Sequence, residues 1–499
     1  MNKPIRNVAV GCMVLFVALL VNATYLQYWE AGDLNSLSQH ADNRRVRDAE
    51  FSRERGAILV RGKAIAESNK SKDQYKYQRT YPQGPMYAHI TGFYSRDWGL
   101  GGIESTRNSY LSGSDSSLFV NRVIDLVDNQ APKGGSVSLT INPAAQKAAY
   151  DGLKALGKNV QGAVVAIEPS TGKVLAMVSS PTYDPNKLAS HDFTEVGKVK
   201  QRLENEKLSP LNNRAIESVL PPGSTFKLVT ASAALSTGSY KPDTIVRGGA
   251  SLNLPQTTHD MTNENGSNCG GDKITLTQAL MVSCNVSFAS IGLKIGADKI
   301  RAQADKFGFG QTYFTDLDDD LTRQAISTFP DNLNSSNLPF TAQSAIGQYE
   351  VAATPLQMAM VAAGIANNGT VMQPYLVDEV RSPDLDVIKK TTPQPIPDQP
   401  AISSKVARDM TEMMVAVVDA GTATTAQIPG VKVAGKTGTA QSAPSRPPYA
   451  WFVSFAPADT PKVAVAVLVQ DAGVARDAIS GSGLAAPIAK AVMEAVMNR

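Results

Sequence analysis

The chain has 499 residues, and because single domains usually run ~100 to 200 residues, it holds two or three of them with at least one large core. Its 48 basic and 45 acidic side chains leave a formal charge of only +3, too thinly spread for a phosphate-tracking protein, so nucleic acid is not an expected partner. The 42% hydrophobic and 19% charged content marks a folded chain, while Cys12, Cys269, Cys284 and the scattered His40, His89, His191 and His259 supply neither a disulfide scaffold nor a zinc or heme site; no metal and no cofactor is expected.

Residues 8–21 (VAVGCMVLFVALLV) are apolar without a charge, and continuing through Leu26 reaches the ~20 residues that a helix needs to cross a bilayer. Lys3 and Arg6 precede this run, and Tyr25, Tyr28 and Trp29 fall where an interfacial aromatic belt would lie. With the positive flank inside, the expectation is a single-pass anchor in the cell membrane and an extracytoplasmic remainder. A cleaved signal peptide ending near Val21-Asn22-Ala23 is the alternative; apolar and aromatic residues continuing past that point argue for retention. Lipidation of Cys12 fits poorly, since the stretch before it is short and the apolar run follows it. Arg44, Arg45, Arg47, Arg53 and Arg55 read as a solvated face.

No internal repeat is visible. From residue 31 to about 140 the sequence is polar, turn-rich and weakly periodic, which predicts an irregular, non-catalytic domain. Residues 162–168 and 174–179 are β-rich runs joined by the turn signal Pro169-Ser170-Thr171-Gly172-Lys173 and read as a hairpin. Residues 226–235 and 276–293 each have helical length and composition. The 391–400 segment (TTPQPIPDQP) reads as a surface loop. Ser403 or Ser404 caps a helix whose apolar face carries Val406, Met410, Met413, Met414, Val417 and Val418. Residues 431–440, 450–456 and 462–470 read as successive antiparallel strands, and a last helix covers 484–498. The predicted division is an anchor over 1–30, a small pedestal-like domain over 31–145 and an α/β (α+β) domain over 146–499, whose two ends contribute to one antiparallel sheet flanked by helices.

Ser224 and Lys227, in Pro221-Pro222-Gly223-Ser224-Thr225-Phe226-Lys227, open a helix three positions apart, which stacks hydroxyl and amine on one face. A serine hydroxyl attacks only when a base takes its proton, and a lysine kept neutral by burial or by a second cation can do so. The same spacing at Ser170 and Lys173 falls on the hairpin turn. Ser283-Cys284-Asn285 is an S-x-N set; Ser251-Leu252-Asn253 and Ser335-Ser336-Asn337 share the pattern, but only Ser283 and Asn285 lie in an apolar, helix-forming stretch, where a polar pair needs a reason. Lys436-Thr437-Gly438, continued by Thr439, occurs once and in a strand-like run.

In the order S-x-x-K, S-x-N and K-T-G, these three segments are the motif set of penicillin-binding proteins and serine β-lactamases. The whole chain resembles class B penicillin-binding proteins of the actinobacterial A type. Further matches are Arg55-Gly56-Ala57-Ile58, Gly102-Ile103-Glu104, Asn213-Arg214-Ala215, Gly347-Gln348 and Thr354-Pro355-Leu356-Gln357; Val60 departs from an aspartate common in the family, which bears on packing of the first domain. The resemblance implies a D,D-transpeptidase that cross-links peptidoglycan stem peptides through a serine acyl-enzyme and is acylated by β-lactams.

It further implies Ser224 as nucleophile, Lys227 as general base, Ser283 as proton relay and Asn285 as the group fixing Lys227 and the substrate amide. Lys436, Thr437 and Thr439 would hold the substrate carboxylate, and Gly438 would let substrate approach the strand. The backbone N–H groups of Ser224 and Thr439 would form the oxyanion hole. Implied partners are stem peptides on glycan made from lipid-linked precursor, β-lactam antibiotics, and a membrane glycosyltransferase or divisome proteins.

Three other readings carry the same motifs. A β-lactamase of the common class deacylates with a glutamate downstream of S-x-N, and between Asn285 and Gln348 there is none. A D,D-carboxypeptidase differs only in letting water replace the acceptor amine. A sensor or divisome scaffold that acylates once is the non-enzymatic reading; the few residues before the anchor leave no space for a signalling module. In an oxidising compartment Cys269 and Cys284 are expected to form a disulfide beside the S-x-N segment, with a buried free thiol at Cys284 as the alternative.

Overall fold

A computed structural model describes residues 3–28, 48, 50–118, 133–441 and 447–498. Lys3–Tyr28 is one helix, and its Lys3–Leu26 stretch, with a mean hydropathy of 2.2, is long and apolar enough to cross a membrane. Val10, Phe16 and Leu20 on it are exposed, as side chains meant for lipid would be. Trp29, Arg44, Arg45 and Arg47 lie outside the described residues.

The first folded unit is more regular than its sequence suggests. It is built on a six-stranded sheet in the order Val387–Lys390, Val377–Arg381, Ser136–Leu139, Ile58–Val60, Lys63–Lys70, Tyr77–Thr80. Alternate apolar residues, Ile58 and Val60 on one strand and Val137 and Leu139 on its parallel neighbour, turn inward to form its core. Two of the six strands come from far beyond residue 145: Val377 pairs with Leu139 and Val380 with Val137. The sheet therefore does not follow the expected division of the chain.

Arg55 is not on a solvated face. It is 4% exposed, and its Nε donates to Glu104 Oε2 at 2.5 Å, while Arg79 Nε donates to Glu104 Oε1 at 2.7 Å. Tyr81 Oη adds a third donor to Glu104 at 3.1 Å, and the Arg55 guanidinium lies 4.4 Å from the Tyr94 ring centroid. Arg55 and, from a separate stretch of the chain, Arg79 and Tyr81 are thus closed around the one carboxylate of Glu104, because a charge can be buried here only if it is paired and hydrogen-bonded. Arg53 remains exposed.

The catalytic-type unit centres on a five-stranded antiparallel sheet in the order Ala434–Ala440, Tyr449–Ala456, Val463–Asp471, Gln161–Ile167, Val174–Ser180. The early hairpin and the last three strands share this sheet, as expected. Every residue from 463 to 469 is buried, so both faces of the sheet are covered. Pro143–Ala155 and Ala486–Val496 pack on one another and on the sheet, Pro355–Ala366 packs on its middle strands, and Ser404–Ala420 packs against Ala434–Ala440. Ser403 caps that last helix through Val406 N, and all six apolar residues expected on its face are buried. Residues 276–293 do not form one helix. They divide into Leu276–Met281 and Asn285–Ile295, with Ser283 at φ +59 between them.

Candidate active site

Ser224 sits in a tight 3-10 turn, Gly223–Phe226, that runs into helix Lys227–Ser236. The turn is fixed from three sides. Gly223, at φ +53, donates its N–H to Gly347 O at 2.9 Å; Thr225 Oγ1 donates to Pro222 O at 2.7 Å; and buried Trp451 donates its indole N–H to Pro221 O at 3.0 Å. Gly347 is needed as glycine: at φ +75, a Cβ would stand 2.1 Å from Gly223 O and 2.7 Å from Phe226 Cβ.

Lys227 heads a helix buried from Lys227 to Leu235, and its side chain is fully enclosed. Its Nζ lies 2.8 Å from Ser283 O, 2.7 Å from Asn285 Oδ1 and 3.3 Å from Ser283 Oγ. Lys436 is equally enclosed, and donates to Ser283 Oγ at 2.8 Å and to Thr437 O at 2.9 Å. Two buried amines thus flank one hydroxyl. Burial, and then the neighbouring Lys436, hold Lys227 well below the ordinary lysine range, with Glu264 opposing them. Burial lowers Lys436 to about 7, again against Glu264. A neutral Lys227 does not repel Lys436, so one charge is shared by the site instead of two.

The break in the 276–295 segment is what delivers Ser283. A continuous helix would consume the Ser283 carbonyl within its own ladder; the positive φ instead turns both that carbonyl and Oγ onto Lys227. The carbonyls released by the break find other partners. Cys284 N donates to Ala279 O, Ser283 N to Leu280 O, and Thr422 N to Met281 O. Beyond the break, Asn285 Nδ2 donates to Thr262 O at 3.1 Å, and Asn263 Oδ1 accepts from Val286 N at 3.0 Å. Cys284 is joined to Cys269 by a disulfide, with Cα atoms 5.7 Å apart.

Lys436, Thr437, Gly438 and Thr439 lie on strand Ala434–Ala440, facing Val453, Phe452, Trp451 and Ala450 on its neighbour. Gly438 has a packing reason for being glycine. A Cβ would stand 2.9 Å from Thr225 Cγ2, 3.0 Å from Pro222 O and 3.1 Å from Trp451 Cβ, so the missing side chain admits the Ser224 turn against the strand. Thr439 O and Ala440 Cα lie equally close to the position of a Cβ on Gly223. Thr437 Oγ1 is 2.6 Å from Thr422 Oγ1. Ser170 and Lys173, the competing S-x-x-K, stay on the hairpin turn.

Residues 162–494 match the penicillin binding protein transpeptidase domain, and residues 55–137 match the penicillin binding protein A dimerisation domain. The chain belongs to the penicillin-binding protein transpeptidase family. Among similar members, the peptidoglycan D,D-transpeptidase PbpA of Mycolicibacterium smegmatis is 42% identical over 503 residues, covering 100% of this chain and 99% of that protein. PbpA of Mycobacterium tuberculosis is 41% identical, with the same coverage. The ceftriaxone acyl-enzyme complex of penicillin-binding protein A from M. tuberculosis superposes with a TM-score of 0.84 at 40% identity, covering 90% of this chain and 100% of that one. The penicillin G acyl-enzyme complex gives 0.82 at 40% identity over 89% and 100%.

Three supports of this penicillin-binding transpeptidase site are absent from its motif set. Trp451 holds the Ser224 turn, Asn263 pins the start of helix Asn285–Ile295, and Thr422 meets Thr437. Gly421-Thr422 directly after a predicted helix was the one local signal for the last; the other two become visible only when distant strands are paired.

Proposed function

We propose that the chain is a membrane-anchored serine D,D-transpeptidase of peptidoglycan, with Ser224 as nucleophile and Lys227 as its base. The observation that carries this reading is the enclosure of Lys227. A neutral amine has two N–H donors and one lone pair; Ser283 O and Asn285 Oδ1, at 2.8 and 2.7 Å, take both donors, which leaves the lone pair for the Ser224 proton. Similarity to two D,D-transpeptidases over their full length, and to acyl-enzymes formed with β-lactams, supports the same chemistry.

In this reading Ser224 Oγ attacks the carbonyl of the penultimate D-Ala of a stem peptide, and its proton passes to Lys227. The resulting oxyanion is held by the backbone N–H groups of Ser224 and Thr439, donors of a kind worth ~100- to 1000-fold in rate each. Ser283, supplied from Lys436 and Lys227, gives a proton to the departing amine as the C–N bond breaks and terminal D-Ala leaves. The amine of a second stem peptide then attacks the ester, the cross-link forms, and Ser224 regains its proton. Lys436, Thr437 and Thr439 hold the donor carboxylate, and β-lactams enter by the same first step. The helix Lys3–Tyr28 anchors the chain, with Lys3 and Arg6 on the cytoplasmic side and the site outside. A membrane glycosyltransferase or divisome partner would supply nascent glycan.

Two measurements test this. The full-length protein in detergent should form a stable covalent adduct with a fluorescent penicillin that is lost in Ser224→Ala and kept in Ser170→Ala. With a thioester donor and an acceptor amine, mass spectrometry of the products should find cross-linked peptides; trimmed peptides alone would assign a carboxypeptidase instead.

A further inference from the structure

Thr422 lies in the turn after helix Ser404–Ala420 and touches both the K-T-G strand and Met281, two residues before Ser283 of the S-x-N segment. Its N–H donates to Met281 O at 3.2 Å, the carbonyl left without a partner where the helix breaks before Ser283. Its hydroxyl is 2.6 Å from the hydroxyl of Thr437. The approach depends on Gly421, where a Cβ would stand 2.4 Å from Met281 O. Thr437 is 8% exposed, so this neighbour, rather than solvent, governs its hydroxyl.

Two hydroxyls at this distance share one hydrogen bond, and the direction of that bond matters. An ionised carboxylate can only accept, and a hydroxyl has one proton to give. If Thr437 donated to Thr422, it would face a substrate carboxylate with a lone pair and repel it. If Thr422 donates, the Thr437 proton is free for the carboxylate, and accepting a bond at the same oxygen strengthens the one it donates. We propose that Thr422 is a positioning residue which orients the Thr437 hydroxyl as a donor to the substrate carboxylate while its backbone holds the S-x-N segment at a fixed distance from the K-T-G strand. The inference rests on the reading of Thr437 as a carboxylate-holding group.

The test compares acylation of the full-length protein by benzylpenicillin and by its methyl ester, which has no carboxylate charge. In Thr422→Val, which keeps the N–H to Met281 O, the second-order acylation rate with the acid should fall about tenfold and that with the ester by less than about twofold, the effect of one lost hydrogen bond to a charged group. Thr422→Ser should restore the preference for the acid. Thr422→Ala serves as a second hydroxyl-free variant should valine impair folding, which thermal melting reports. Equal slowing of acid and ester would make Thr422 merely structural and overturn the inference. A preference lost in Thr437→Val but intact in Thr422→Val and Thr422→Ala would overturn it while leaving the site reading in place. A preference unchanged in Thr437→Val would overturn that reading of Thr437 itself.

Discussion

Ser283 Oγ accepts a hydrogen bond from Lys436 Nζ at 2.8 Å, which puts the middle motif in direct proton contact with the third. Since Lys227 Nζ stands 3.3 Å from the same oxygen, Ser283 bridges two amines that burial has pushed down from the ordinary lysine range.

A pH dependence follows from this. Lys436 is lowered to about 7 from the ordinary 10.5, so in that window the unfolded chain holds a proton that the folded one does not. Stability contributed by this group therefore rises with pH between those values. Compared with Lys436→Met, the wild-type protein should gain relative stability as pH is raised through the window in urea titrations. Acylation by penicillin should decline on the alkaline side with an apparent midpoint near neutrality, as the charge proposed to meet the substrate carboxylate is lost.

Lys227→Met should lower the acylation rate by roughly 10²- to 10⁴-fold, the usual worth of a positioned general base. The rate of adduct formation with a fluorescent penicillin measures it. A decrease of less than about tenfold would remove Lys227 from the role of base.

Glu104 is expected to be indispensable to the first unit. Burial alone would raise its carboxyl, but Arg79 and Arg55 overcome this and hold it below its ordinary value. Glu104→Ala leaves two buried guanidinium groups without their counter-charge and should cost about 3 to 5 kcal/mol, read as a shift of the unfolding midpoint. The stabilisation is present above the ordinary carboxylate pKa and is lost as pH falls through the depressed one, so acid should unfold this unit once Glu104 is protonated.

Cys269 and Cys284 close a loop with a sequence separation of 15, for which the chain-entropy argument gives ~3 kcal/mol. Denatured, unreduced protein should show one free thiol, that of Cys12, and reduction should lower the melting temperature. Two further thiols without reductant would contradict the bond.

Gly347→Ala should damage catalysis far more than substrate affinity. The new Cβ meets Gly223 O at 2.1 Å, and relief of that clash moves the Ser224 turn. Misplacement of a reacting group by ~1 Å can cost 10²-fold, so the acylation rate should decline on that scale while the apparent Kd for a non-covalent substrate analogue changes little.

Most of the residues that the structure brings together at the candidate site were legible because they are chemically unusual where they stand: a serine and lysine at helical spacing after two prolines, and a polar pair within an apolar run. The five-stranded sheet was legible from apolar strands bounded by turn residues. What was not legible depends on partners remote in sequence. Arg55 looks like any charged residue near an anchor until Glu104 and Arg79 close on it. Residues 276–293 have helical composition throughout, and only the pull of Lys227 on the Ser283 carbonyl, together with the new partners for the orphaned carbonyls, makes the break favourable. Gly438 is glycine because of the Ser224 turn, a contact that no local pattern encodes.

The strand pairing of Val377 with Leu139 bears on how the protein is made. As the chain leaves the ribosome amino end first, residues 48–139 emerge with the Ser136–Leu139 strand lacking its outer neighbour, an open edge of unpaired N–H and C=O groups. That edge is closed only after most of the catalytic unit, up to the Val377–Arg381 strand, has been synthesised. The pedestal therefore matures late despite being translated early, and a truncation ending near residue 145 would retain the vacant edge permanently and tend to self-associate through it.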